Sequence, residues 1–236
     1  VSERDVLVVV PTYNERDNLR ELVDGIRTQL PRAHVLFVDD GSPDGTAAFA
    51  RELGAGRGDV DVLERDRPRG IGSAYREGFR VGLERGYRRF VSMDADLSHD
   101  PSYLPGLVAA TDDADFAIGS RYLRGVSVVN WSLTRLAASV GANAYARIVT
   151  GLPVRDCTSG FQCIRREVLE AIGVPQLRRQ GYAFLIELKY RAHRRGFRFR
   201  EVPIVFVERR SGTSKNGIAN GVKTLWAVWA LRFGAA

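Results

Sequence analysis

Cysteine is scarce in this 236-residue sequence: only Cys157 and Cys163 occur, and they do not form a C-x-x-C pair. That argues against a disulfide-stapled secreted scaffold and for a reducing compartment, with both thiols read as ordinary small residues. Histidine is equally sparse. His34, His99 and His193 are scattered without metal-ligand spacing, so a histidine-rich zinc site is excluded. Long apolar runs are missing too. The longest late run, residues 225–231, has seven residues between Lys223 and Arg232, far short of the ~20 that cross a bilayer. The charged N-terminus passes through Val6–Val10 straight into a turn, so no signal peptide is expected. Internal repeats and low-complexity tracts are absent as well.

What the sequence does have is basic charge on an ordinary globular composition. Lysine and arginine number 35 against 28 acidic residues, a net charge of +7, with 44% hydrophobic residues. A chain of this length can bury a sizeable core. The basic balance suits a polyanion: nucleic acid, an anionic membrane or a phosphorylated small molecule.

Strand-like and helix-like segments alternate through the first half. Val6–Val10, residues 35–38, 60–63, 90–93 and 115–119 read as short strands. Between them, residues 17–30, 45–53, 72–85 and 101–110 show helical spacing or helix-start signals. This order predicts an α/β, Rossmann-like, mostly parallel sheet flanked by helices. The second half is less regular. A helix is expected over 131–150, a turn over 156–161, a helix over 181–195 and an edge strand over 198–207 broken by Pro203. The chain reads as one domain with a tail from about residue 211.

Ligands of such sheets bind beyond the carboxyl ends of the strands. Those ends carry Pro11-Thr-Tyr-Asn-Glu15, Asp39-Asp40, Asp94-Ala-Asp96 and Gly119-Ser-Arg121. Two carboxylates spaced D-x-D at a strand end can approach one hard divalent cation, Mg²⁺ or Mn²⁺. The plain alternative is a solvated acidic loop. Asp100, directly before Pro101, and Asp44 are assigned capping work. Asp39 and Asp40 could accept hydrogen bonds from a base or ribose, or simply form a turn. Arg121, Arg135 with Ser139 one helical turn away, Arg209, Arg210 and Lys215 form a basic set suited to phosphate. Arg191, Arg194, Arg195 and Arg198 read as surface charge. His99, close to the D-x-D, could line the site. Gly70-Ile-Gly72 matches no complete phosphate-loop motif and reads as a tight turn near a nucleotide.

Taken in order, "VVPTYNERDNL", "VDDGSPDGT", "RPRGIGSAYREGF", "MDADLSHDP", "GSRY", "DCTSGFQCIRREVL" and "EVPIVFVERRSGTSK" span residues 8–215. This set resembles the dolichol-phosphate mannose synthase family, inverting GT-A glycosyltransferases of family 2 that mannosylate a polyprenyl phosphate. The resemblance implies GDP-mannose as donor, a polyprenyl phosphate as acceptor and a Mg²⁺ or Mn²⁺ cofactor. It also implies roles. Pro11, Tyr13 and Glu15 would surround the nucleoside, with Val38 and Asp40 beside the base and ribose. Asp94 and Asp96 would hold the metal and the donor diphosphate, with Ala95 contacting the nucleotide through its backbone. Arg121, Arg135, Ser139 and Arg209 would grip the lipid phosphate, and Lys215 would close over the donor. One position departs from the family: Ser98 stands where a glutamine metal ligand is common, a shorter and weaker donor.

The implied nucleophile is a phosphate oxygen, whose second pKa of about 6 leaves it anionic at neutral pH, so no general base is nominated. The expected arrangement is a catalytic domain over 1–210 and an amphipathic, membrane-interfacial tail over 211–236. The expected location is cytoplasmic, peripheral at the inner face of the cell membrane, with a separate membrane-anchoring domain or subunit as a possible partner. Three alternatives stand beside this: a UDP-sugar transferase acting on the same lipid phosphate, a basic RNA-binding domain, and a catalytically dead scaffold. The RNA reading is disfavoured because the basic residues are not interleaved with an aromatic RNP-type pattern, and no nucleic-acid partner is expected.

Overall fold

The computed structural model describes residues 5–67, 70–207 and 218–234. Its centre is a seven-stranded sheet in the order β3 (Val60–Glu64), β2 (His34–Asp39), β1 (Val6–Thr12), β4 (Arg89–Ser92), β7 (Gln162–Arg165), β5 (Phe116–Ser120), β8 (Phe199–Pro203). The first four strands, β1, β2, β3 and β4, are mutually parallel. Their runs are apolar at nearly every position because both faces are covered. Leu7 and Val9 join one core cluster, whereas Val6, Val8 and Val10 join the other. Helices α1 (Arg16–Gln29), α2 (Thr46–Gly54) and α4 (Leu104–Asp113) supply the second cluster. Helices α3 (Ile71–Glu84), α5 (Leu133–Thr150), α6 (Arg166–Ile172) and α7 (Gly181–Arg194) supply the first.

Helix α3 lies very close to the sheet. A Cβ at Gly78 would fall 2.4 Å from Val9 Cγ1, and one at Gly82 would fall 2.4 Å from Phe90 Cε1. Both positions therefore require glycine for approach rather than for conformation.

Three elements, a strand over 162–165, the helix after it and a short strand over 128–129, were not expected from the sequence. β7 (Gln162–Arg165) inserts between β4 and β5 (Phe116–Ser120), antiparallel to both, and α6 follows it directly. The sheet is thus mixed. The expected edge strand is β8 (Phe199–Pro203), parallel to β5. It ends at Pro203, and the chain resumes as β9 (Phe206–Val207), paired with β6 (Val128–Val129) in a separate two-stranded sheet.

The tail forms α8 (Ile218–Phe233), which packs on α5 and α7. Ala227 and Val228 are buried there, while Trp226, Trp229 and Phe233 are exposed. The expected boundary at residue 210 lies outside the described residues. Among the described residues, no helix is long and apolar enough to cross a membrane.

Candidate active site

The strand order reverses between β1 and β4: β2 and β3 lie to one side of β1, and β4 to the other. The carboxyl ends of such a pair diverge and leave a crevice. A pocket opens there, with Pro11 and Glu15 from the end of β1 and Asp94, Ala95, Asp96, Ser98 and His99 from the segment after β4. Further wall comes from Ile71 and Tyr75 of α3, Arg121 beyond β5, Trp131 just before α5 and Arg135 in its first turn, Thr158–Gly160 before β7, Phe206 of β9, and Gly181, Tyr182 and Leu185 of α7.

The acidic segment is held by short local bonds. Asp96 Oδ1 accepts from the Ser98 hydroxyl at 2.5 Å and from the Ser98 backbone N–H at 3.1 Å. Between them Leu97 adopts a φ of 61°, a left-handed conformation unusual for a branched side chain. Asp94 Oδ1 accepts from the Tyr75 hydroxyl at 3.3 Å. Burial, reinforced by Asp94, keeps that phenol well above its ordinary pKa, so it stays a donor. The Asp94 backbone N–H donates to His99 Nδ1 at 2.9 Å. His99 is buried and stacked on Phe161 with ring centroids 4.8 Å apart. Burial lowers its pKa, and an Nδ1 that accepts a hydrogen bond belongs to the neutral ring. His99 thus lines the pocket as a spacer and acceptor. Asp100 caps the following turn as expected, accepting from Ser102 N at 2.8 Å.

Arg121 is 6% exposed. Its Nε and Nη2 donate to Asp156 Oδ2 and Oδ1, each at 2.7 Å, and Nη2 also donates to Thr158 Oγ1 at 2.8 Å. Burial pushes the Asp156 carboxyl up, but Arg121 outweighs it and holds the group below the usual carboxylate range. Arg121 sits within 5.6 Å of the ring centres of Tyr122, Trp131 and Phe206, and Arg135 lies 4.3 Å over Trp131. The sequence missed this ion pair and its aromatic surround. The acid at the head of Asp156-Cys-Thr-Ser-Gly160 was the available signal, but nothing local says which base it meets.

The other anticipated residues divide. Ser139 is not in the pocket wall; its hydroxyl bonds the Tyr122 hydroxyl at 2.8 Å, beside Arg121. Tyr13 is half-buried at the rim of β1 and also outside the wall. Val38 is fully buried in the core beside α3 and is not part of the pocket wall. Asp40 is nearly buried and ion-paired with Arg65, which ties it to β3 and α3 rather than to the pocket wall. Arg209 and Lys215 lie outside the described residues. Gly70 takes a φ of 83° as the residue before α3, Ile71 lines the pocket, and Ile71 and Gly72 are the first helical residues rather than a tight turn.

The donor set around Asp94 and Asp96 is made of hard oxygens, two carboxylates and a hydroxyl, which suits Mg²⁺ or Mn²⁺. No group of three His, Cys, Asp or Glu side chains arranged to hold a metal occurs among the described residues. A cation here would depend on substrate oxygens to complete its shell.

Comparison with known proteins agrees with this geometry. A family model, "Glycosyl transferase family 2", matches residues 7–173. A polyprenol monophosphomannose synthase of Mycolicibacterium smegmatis is 46% identical over 96% of this chain and 87% of its own length. An undecaprenyl-phosphate mannosyltransferase of Micrococcus luteus is 42% identical over 98% and 94%. The glucosyl-3-phosphoglycerate synthase of Mycobacterium tuberculosis, solved with Mn²⁺, UDP and phosphoglyceric acid, superposes with a TM-score of 0.75 over 99% of this chain and 80% of that one. At 18% identity that likeness speaks for the GT-A fold alone. The chain therefore belongs to glycosyl transferase family 2 and, within it, to the polyprenyl- and dolichol-phosphate mannose synthase family that its motifs resemble.

Proposed function

We propose that this chain transfers mannose from GDP-mannose to a polyprenyl phosphate with inversion, giving polyprenyl-phosphate β-mannose. The observation that carries the reading is one pocket lined by two carboxylates, Asp94 and Asp96, and two arginines, Arg121 and Arg135. Two anionic substrates have to meet, and the pocket offers a place for each. Asp94, Asp96 and the Ser98 hydroxyl would hold Mg²⁺ or Mn²⁺ on the donor side, with Ser98 also orienting Asp96. When bound, the cation would offset charge on the departing diphosphate. Pro11, Glu15 and the backbone of Ala95 would flank the nucleotide, with Tyr13 and Asp40 at its outer edge. Arg121 and Arg135 would meet the acceptor phosphate, and Arg209 and Lys215 are assigned to the closing side from the sequence motif.

No base is required, because the acceptor phosphate is already anionic above about pH 6. Holding its oxygen in line with the sugar carbon supplies much of the rate. The neutral, buried His99 does not take part in proton transfer here. It accepts the Asp94 N–H and fixes that end of the acidic segment.

The lipid acceptor requires contact with a membrane. We assign that to the exposed aromatic side of α8, where Trp226 stacks on Trp229 and Phe233 packs tilted against Trp229, beside Arg232. Residues 211–236 then act as a docking tail on a catalytic domain of 1–210, peripheral at the cytoplasmic face of the cell membrane. Binding competition tests the donor. GDP-mannose should displace labelled GDP at least tenfold more effectively than UDP-glucose does. The reverse order would make the chain a UDP-sugar transferase.

A further inference from the structure

Behind the arginine side of the pocket lies a buried charge cluster for which the transfer reaction as described has no use. Asp156 is fully buried and turns both carboxylate oxygens to Arg121, accepting also its backbone N–H at 3.1 Å. Lys189 of α7 is likewise fully buried. Its Nζ donates to Ser159 O at 2.8 Å and to Leu185 O at 3.4 Å. A buried lysine is costly unless its charge has a purpose or a partner.

We propose that Asp156 and Lys189 are positioning residues for the acceptor phosphate: Asp156 aims Arg121 into the pocket, and Lys189 keeps the buried cluster net positive. The proposal rests on Arg121 meeting that phosphate.

A guanidinium has five N–H donors. Three of them, on Nε and Nη2, are committed to Asp156 and Thr158. Among the described residues Nη1 makes no hydrogen bond, and Arg121 lines the pocket, so the uncommitted edge is the one left for a ligand. This aim has a cost. Asp156 cancels the charge of Arg121, and a neutral pair attracts a phosphate dianion weakly. With Lys189 the buried trio carries one net positive charge; Glu201, which also faces Lys189, is partly exposed to solvent and accepts the Arg155 and Asp156 N–H groups. Lys189 also holds the carbonyl of Ser159, and Thr158, Ser159 and Gly160 all line the pocket. Asp156 is itself fixed from the far side, its N–H donating to Glu201 Oε1 of β8 at 3.0 Å.

Burial pulls the Lys189 ammonium down to about 8, with Asp156 opposing the shift. The charged or titratable groups that face it are Asp156 and Cys157 of the segment before β7, Arg121 beyond β5 and Glu201 of β8. Cys157 is pushed up to about 12 by burial and does not titrate in the same range. Raising the pH through about 8 should therefore remove the one positive charge in excess.

The test uses farnesyl phosphate as acceptor and GDP-mannose as donor, with steady-state kinetics from pH 6 to 9.5 and thermal unfolding as a fold control. Wild type should lose acceptor kcat/KM above about pH 8, while the KM for GDP-mannose stays within twofold. Lys189→Met should start at least tenfold lower and lack that alkaline limb. Asp156→Asn should raise the acceptor KM about tenfold or more, leave donor binding within twofold, and add little when combined with Arg121→Ala. If Arg121→Ala itself leaves the acceptor KM unchanged, the assignment of Arg121 to the phosphate fails. If Arg121→Ala raises it and folded Asp156→Asn does not, the positioning role is refuted. Should Asp156→Asn fail to fold, an alkaline limb that persists unchanged in Lys189→Met overturns the proposal by itself.

Discussion

Replacing Arg121 with alanine tests the packing of the site as well as its chemistry. Arg121 and Asp156 are both under 10% exposed and joined by two bonds of 2.7 Å. Removing one partner of such a pair leaves an uncompensated buried charge, a loss of roughly 3–5 kcal/mol. Lys189 remains close to Asp156 and offsets part of this, so the lower end, about 3 kcal/mol, is expected. For a domain of this size that lowers Tm by about 6–12 °C. The dependence on pH has a definite sign. In the wild type, burial would raise the Asp156 carboxyl, but Arg121 depresses it. The pair therefore stabilises the fold above the unfolded carboxyl pKa of about 3.9, and loses that contribution as pH falls through the lower folded value. Without Arg121, burial dominates and the carboxyl rises. The variant should then recover part of its deficit between pH 7.5 and pH 5, where Asp156 can protonate. Thermal melts of both proteins at the two pH values measure it. A Tm within about 2 °C of wild type at pH 7.5, or a deficit that grows on acidification, would refute the reasoning.

Other perturbations have equally definite outcomes. Asp96→Ala should abolish transfer while leaving the melting curve nearly unchanged, since Asp96 is partly exposed and accepts from Ser98 two positions on in the same short segment; near-normal turnover in saturating Mn²⁺ would remove it from the metal site. Gly82→Ala should destabilise by about 1–3 kcal/mol, because the new methyl would meet Phe90 Cε1 at 2.4 Å and Leu7 Cδ2 at 2.6 Å; denaturant unfolding reads this, and an unchanged midpoint contradicts the packing. Trp226→Ser with Trp229→Ser should reduce co-sedimentation with anionic vesicles and keep GDP-mannose affinity, because the exposed rings stack on each other and Ala227 and Val228 make the core contact; unchanged sedimentation would place lipid contact elsewhere.

The parallel half of the sheet was legible because β1, β2 and β4 are short apolar runs that stop at polar strand ends. Their doubly covered burial leaves no other reading of Val6–Val10. The strand β7 was not, since Gln-Cys-Ile-Arg alternates weakly and its place is fixed by partner strands far off in the chain. Arg89↔Arg165 differs by 76 and Phe116↔Ile164 by 48, pairings of a kind that local pattern does not encode. The acidic side of the site followed from D-x-D at a strand end. The basic side was only half visible: Arg121 stood out, but Asp156 lies 35 positions on and Lys189 sits inside a helix that reads as an ordinary amphipathic one. The tail showed its aromatic residues in the sequence, whereas the burial of Val228 against the core depends on where α5 and α7 run.

The central claim is mannosyl transfer to a lipid phosphate, and label transfer tests it most directly. The protein is incubated with GDP-mannose labelled in the sugar, a polyprenyl phosphate and Mg²⁺ or Mn²⁺, and the organic phase is counted. The account predicts extractable label that requires the lipid phosphate, disappears with EDTA and returns when the cation is restored. Label that stays wholly in the aqueous phase, with a folded, donor-bound protein, would contradict it.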